Sequence, residues 1–127
     1  MTTRAARAAG ITAAVLGALA VACGAFAAHA LRAQLGADAL ATWRTAVDYQ
    51  FWHVLALAVA ALRMGEGGTP ARVAALAFVT GCVLFCGSLY ALALGAPRGL
   101  GMVTPFGGVA FLIGWIALAL AWRKPAR

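Results

Sequence analysis

Four stretches of this chain run for about twenty residues almost without charge, and no other feature limits its fold as severely. At 1.5 Å of rise per residue, roughly 20 apolar residues cross the ~30 Å hydrocarbon layer of a bilayer. Three stretches are plain: 8–31, 73–96 and 100–122. The remaining one, 49–62, is too short alone. A helix capped by Asp38 after Gly36, and continuing through Arg44 and Asp48 to Met64, gives it the length, with its first turns in the interface and a span of about 44–64. Composition agrees, since 65% of the 127 residues are hydrophobic and 10% charged. A soluble domain of this size has no way to cover so much apolar surface. Disorder, a collagen-like repeat and a secreted disulfide scaffold are excluded by the apolar content, the lack of a Gly-X-Y period and the three cysteines. The expectation is one all-α membrane domain over residues 1–127, a four-transmembrane-helix bundle with the lipid bilayer as its solvent.

Gly65, Gly67, Gly68 and Pro70 break the chain before the third span, and Gly95, Pro97, Gly99 and Gly101 before the fourth. Both connections are short, so consecutive helices should be antiparallel neighbours. Arg4 and Arg7 before an apolar run resemble a secretory leader, yet the run exceeds the ~7–15 residues of a leader's apolar core, and it is read as a retained span. Orientation follows from the basic residues. Arg4, Arg7, Arg63, Arg72, Arg123, Lys124 and Arg127 flank one side; Arg32, Arg44 and Arg98 flank the other, offset by Asp38 and Asp48. Both termini should therefore be cytoplasmic. The same flanking positions account for the net charge of +7 without nucleic acid, because no basic stripe interleaved with aromatics exists. Trp43, Trp52, Trp115, Trp122, Tyr49 and Tyr90 lie mostly toward span ends and read first as interfacial anchors.

Between helices in lipid, small residues that let backbones approach are the main packing signal. In the first span Gly10, Ala13, Gly17, Ala20, Gly24 and Ala27 alternate by three and four, an all-small seam that predicts a close neighbour. Gly107, Gly108, Ala110 and Gly114 form a small face on the fourth span, and Gly87 and Ala91 another on the third. Thr104 followed by Pro105 reads as an N-cap with proline at the first helical position, which shortens the last span to about 104–122.

An ionisable group inside a membrane is costly and usually has a partner or a role. The polar residues gather in the outer halves of the spans: His29 on the first, Arg44, Asp48, Tyr49, Gln50 and His53 on the second, Ser88 and Tyr90 on the third, and Thr104 at the start of the fourth. Arg44 and Asp48, and Tyr49 and His53, are i, i+4 pairs, and Gln50 and His53 are i, i+3. Two readings follow. In one, Arg44 and Asp48 form an interfacial ion pair and a neutral His53 bonds a helix partner such as Ser88 or a backbone carbonyl. In the other, His53, Asp48 and His29 line an outward-facing pocket for a small molecule, ion or metal, completed in one form of this reading by an oligomer. The metal signal is weak, for no H-x-x-x-H or C-x-x-C spacing exists, and a bis-His haem between His29 and His53 has only their similar depth in its favour. No cofactor is assigned. Cys23, Cys82 and Cys86 read as packing residues, the last two being i, i+4 on one helical face, a poor disulfide geometry. No nucleophile–base pair, phosphate loop or paired carboxylates are present, so no catalytic constellation points to an enzyme.

Four ordered segments resemble a known family. They are 24–31 (GAFAAHAL), 43–53 (WRTAVDYQFWH), 85–90 (FCGSLY), and Thr104-Pro105-Phe106-Gly107-Gly108 with Gly114-Trp115. Together they are similar to the YgdD-like or transmembrane protein 256 family, domain of unknown function 423. Ala27 stands where that family usually has glycine, and Cys86 where it usually has serine. The resemblance implies a small four-span inner-membrane protein with mitochondrial relatives and no established biochemical activity. Its motifs coincide with the polar cluster. The reading that results is a non-enzymatic accessory protein that meets a membrane protein partner or forms a homo-oligomer, with ligand or ion handling through the His/Asp pocket as the alternative.

Overall fold

The structure, a computed structural model, describes residues 3–123. Lys124 and Arg127, counted above among the flanking basic residues, lie outside the described residues. Four helices in it are long and apolar enough to cross a membrane. The first, Arg4–His29, opens on Thr3, whose extended backbone and Oγ1 satisfy the Ala6 N–H at 3.0 Å. With that cap the helix starts four residues before the expected boundary. It ends at His29, and Leu31 belongs to a short 3₁₀ turn, Leu31–Ala33.

The second helix is Ala37–Arg63, and its cap is Gly36 rather than Asp38. Asp38 lies inside the first turn, where a carboxylate faces the positive end of the helix dipole. The third helix, Gly68–Ala93, starts five residues earlier than expected. Pro70 falls in its first turn, where no backbone N–H is needed, and Gly68 makes the preceding bend at φ +63°, a conformation that side chains with a Cβ resist. The helix is interrupted by one π segment, Cys82–Cys86, and stops at Ala93 before Gly95 turns the chain at φ +100°. A 3₁₀ turn, Arg98–Met102, leads into the fourth helix, Thr104–Trp122. The start at 104 agrees with expectation, but the cap is Val103. Thr104 is the first helical residue, and its hydroxyl is used elsewhere.

The second helix is the hub: the first packs chiefly on it, the third packs on it and the fourth, and the third and fourth pack most extensively of all. Against the second helix the first buries Ala6, Ala13, Ala20 and Ala27, one residue every two turns. Gly17 and Gly24 stand beside them, where an added Cβ would touch Val54 and Val47 at 3.4 Å. Contacts between the third and fourth helices are tighter. Gly107 lies against the Phe85 backbone, Gly81 under the Phe111 ring, and a Cβ at Gly114 would come within 2.6 Å of the Phe78 ring. Gly108 is at ordinary distance, 3.9 Å, from the Phe85 ring.

Two expected packing glycines do not pack. Gly10 and Gly87 have nothing within 4 Å of where a Cβ would be. Gly10 lies at the end of the bundle where a groove of about 400 Å³, lined by Ala9, Met64 and Arg72 among others, separates the first helix from the third. Gly87 follows the π segment, whose wide turn breaks the 3.6-residue phase and leaves it lining a second groove instead. Gly81, ahead of that segment, is the glycine of this helix that packs on the fourth, against Phe111.

Candidate functional site

The polar residues on the inward faces of the helices are hydrogen-bonded in separate small groups, and five of the seven bonds join two helices. From the second helix, Trp43 donates its indole N–H to the Cys23 carbonyl at 2.9 Å, and Gln50 donates Nε2–H to the Leu16 carbonyl at 2.7 Å. Donors and acceptors are both seven residues apart, so the antiparallel register that seats Val47 and Val54 on Gly24 and Gly17 also brings these donors to backbone oxygens. Gln50 accepts through Oε1 from the Tyr90 hydroxyl at 2.7 Å, which ties the second helix to the third. Its amide is thus engaged at both ends, and it is only 4% exposed.

His53 is one turn further along, 5% exposed, and faces the fourth helix. Its Nδ1 lies 2.6 Å from the Tyr49 carbonyl, and Nε2 accepts from the Trp115 indole N–H at 3.1 Å. The first contact places the imidazole proton on Nδ1, since a carbonyl only accepts, and leaves Nε2 as the acceptor that an indole requires. The ring stacks on Phe111 with centroids 3.6 Å apart, and Tyr49 stacks on Phe85 at 4.5 Å. Ser88 donates to the Phe85 carbonyl at 3.0 Å and pairs with the Thr104 hydroxyl at 2.5 Å, joining the third helix to the fourth.

Other members of the sequence cluster lie apart from this network. His29 is exposed and lines a shallow hollow with Ala28, Arg32 and Ala33. Arg44 and Asp48 are exposed on the outer face of the second helix. The ion pair expected between these two is not formed; among the described residues the pair within bonding distance is Arg63–Glu66. Nor does His53 meet His29 or Asp48, and among the described residues no three His, Cys, Asp or Glu side chains gather as metal ligands do.

Depth also differs from expectation. His53 is the seventeenth of 27 residues in its helix, and Trp115 the twelfth of 19 in its own. Their bond lies near the middle of the bundle, not in its outer half. Sequence reasoning took Trp115 for an interfacial anchor. Its place in mid-span was the available signal, because an indole N–H in hydrocarbon needs an acceptor. Arg63 was also missed as an interior residue. It is 6% exposed, bonds Glu66 Oε2 at 3.0 Å and the Ala121 carbonyl at 2.9 Å, and lies 4.5 Å over the Trp122 ring. Glu66 three residues on was the legible hint.

The comparisons agree with a membrane bundle. A family model described as a protein of unknown function, DUF423, matches residues 23–108, which include the whole polar network apart from the Leu16 carbonyl and Trp115. The chain belongs to the DUF423 family. Its relatives carry the name UPF0382 membrane protein. One from Staphylococcus epidermidis is 43% identical over 114 residues, 87% of this chain and 93% of its own length. Another, from Haemophilus influenzae, is 46% identical over 99 residues, 78% of this chain and 80% of its own. A third, from Bacillus subtilis, is 41% identical over 109 residues, 84% and 88% respectively. No solved structure matches. With four helices able to span a membrane, this DUF423 chain is a multi-pass membrane protein.

Proposed function

We propose that this DUF423 protein is a non-enzymatic accessory protein of the bacterial inner membrane, with both termini in the cytoplasm, and that its polar interior holds the bundle in one shape for a membrane protein partner. The observation that carries the reading is His53. Both ring nitrogens are engaged by the protein's own groups, Tyr49 and Trp115, and the same holds for the two ends of the Gln50 amide. A buried group used in this way serves packing; a ligand would first have to displace a helix. Sidedness is supported by Arg4, Arg7, Arg63, Arg72 and Arg123 at the end of the bundle that carries Thr3, against Arg32, Arg44 and Arg98 at the other.

The test is native mass spectrometry of the tagged full chain, released gently from its own membranes, with an absorption spectrum on the same sample. A co-purifying membrane protein and an otherwise clean mass are expected. A retained small molecule, metal or haem that disappears in His53→Ala would overturn the accessory reading. Reporter fusions to the C-terminus test the orientation, and export of the reporter would reverse it.

A further inference from the structure

Asp48 is an exposed carboxylate at a depth where its neighbours are apolar. The register of the first two helices seats Val47 on Gly24, and that of the second and fourth seats His53 beside Trp115. By these registers Asp48 is level with Cys23 and Ala110, beside which the first helix exposes Val21 and the fourth exposes Val109, both more than half accessible. The polar ends of these neighbours, His29 and Thr104, are about six residues away along their helices, roughly 9 Å at 1.5 Å per residue. Arg44, one turn before Asp48 on the same face, is exposed as well, and among the described residues neither side chain has an ion-pair partner. Charges facing lipid at this depth are costly unless something covers them.

We propose that a second copy of the chain covers this face, second helix against second helix about a two-fold axis along the membrane normal, with Arg44 of each copy meeting Asp48 of the other. Two copies in one bilayer share an orientation, so their second helices run parallel. A two-fold interface is self-complementary, and a cation and an anion four residues apart supply both halves of it. Their separation along the axis, roughly 6 Å, lies within the reach of an arginine side chain. An unrelated partner would have to bring both charges itself; a second copy always carries them. The face is also built for close approach. Ala41, Thr45 and Asp48 follow at spacings of four and three, and the Thr45 hydroxyl is already bonded to the Ala41 carbonyl at 3.1 Å, so no stray donor enters the seam. Trp52 and Leu55 continue it as an apolar strip, 55% and 66% exposed. The proposal goes beyond the accessory role and holds whether or not another protein co-purifies.

The experiment cross-links the full chain in native membranes through Thr45→Cys in a Cys23→Ala background, with two epitope tags and Val21→Cys as the control on another face. Thr45→Cys should give disulfide-linked dimers and Val21→Cys none. Arg44→Asp alone, or Asp48→Arg alone, should reduce the dimer about tenfold, since each removes both interhelical pairs. Co-expressed, these two variants should cross-link to each other at the level of the unaltered pair, an outcome that pairing within one chain does not produce. An unchanged unfolding transition in mixed micelles verifies that the bundle survives each change. Absence of a Thr45→Cys dimer, equal dimer in all variants, or cross-linking to a protein of different mass would overturn the proposal.

Discussion

The first helix meets the second through alanines and glycines at ordinary contact distance, whereas the third meets the fourth through phenylalanines seated in glycine gaps. At the first interface the approach is close enough for Trp43 and Gln50 to reach backbone oxygens, and Gly17 and Gly24 still leave 3.4 Å to their neighbours. At the second, Gly107 and Gly114 admit no further atom without moving Phe85 backbone or the Phe78 ring. Glycine thus serves two physical ends in one small bundle. In one interface it permits hydrogen bonds; in the other it is a hole already filled.

The sharpest way to break this contrast is Gly107→Ala. The new methyl meets the Phe85 backbone, which has no rotamer to yield, and about 3 kcal/mol of stability should be lost in a detergent unfolding titration. A loss under about 0.5 kcal/mol would mean the third helix slides freely on the fourth. Gly114→Ala, opposed by a ring instead of backbone, should cost less, about 2 kcal/mol by the same measurement. Gln50→Leu removes one bond from the looser interface and a second that ties the second helix to the third, and should cost about 1–2 kcal/mol. It should also alter the near-ultraviolet signal of Tyr90; an unaltered tyrosine signal would count against the bond. Smallest is the Gly17→Ala and Gly24→Ala pair, which gains helix propensity and needs only tenths of an ångström from Val54 and Val47. A net change within about 0.5 kcal/mol is expected, and a large loss would erase the distinction between the two interfaces.

What could be read in advance follows the same division. The seam of the first helix was legible because small residues at three-and-four spacing have few uses in lipid other than packing, and Ala13, Gly17, Ala20, Gly24 and Ala27 all lie on the second helix or beside it. The face made by Gly107 and Gly114 was legible for the same reason. Gly87 misled because a π segment leaves no mark in a helical wheel, and every position after it is read out of phase. Within the polar cluster, residue types and the helices that carry them were visible, but not which groups would meet. Gln50 and His53 are three residues apart and face different helices, a divergence set by the directions of Tyr90 and Trp115, which no local spacing encodes. Arg44 and Asp48 have the ideal spacing for a pair and remain apart.

Both links between the first helix and the second end on main-chain oxygens, those of Leu16 and Cys23. An acceptor of this kind is present whatever side chain stands at the position. The information for these contacts is therefore written on the second helix alone, and changes at residues 16 and 23 can accumulate without any compensating change at 43 or 50. Paired variation, the usual trace of touching residues, would not be left by the bonds that fasten the first helix to its neighbour.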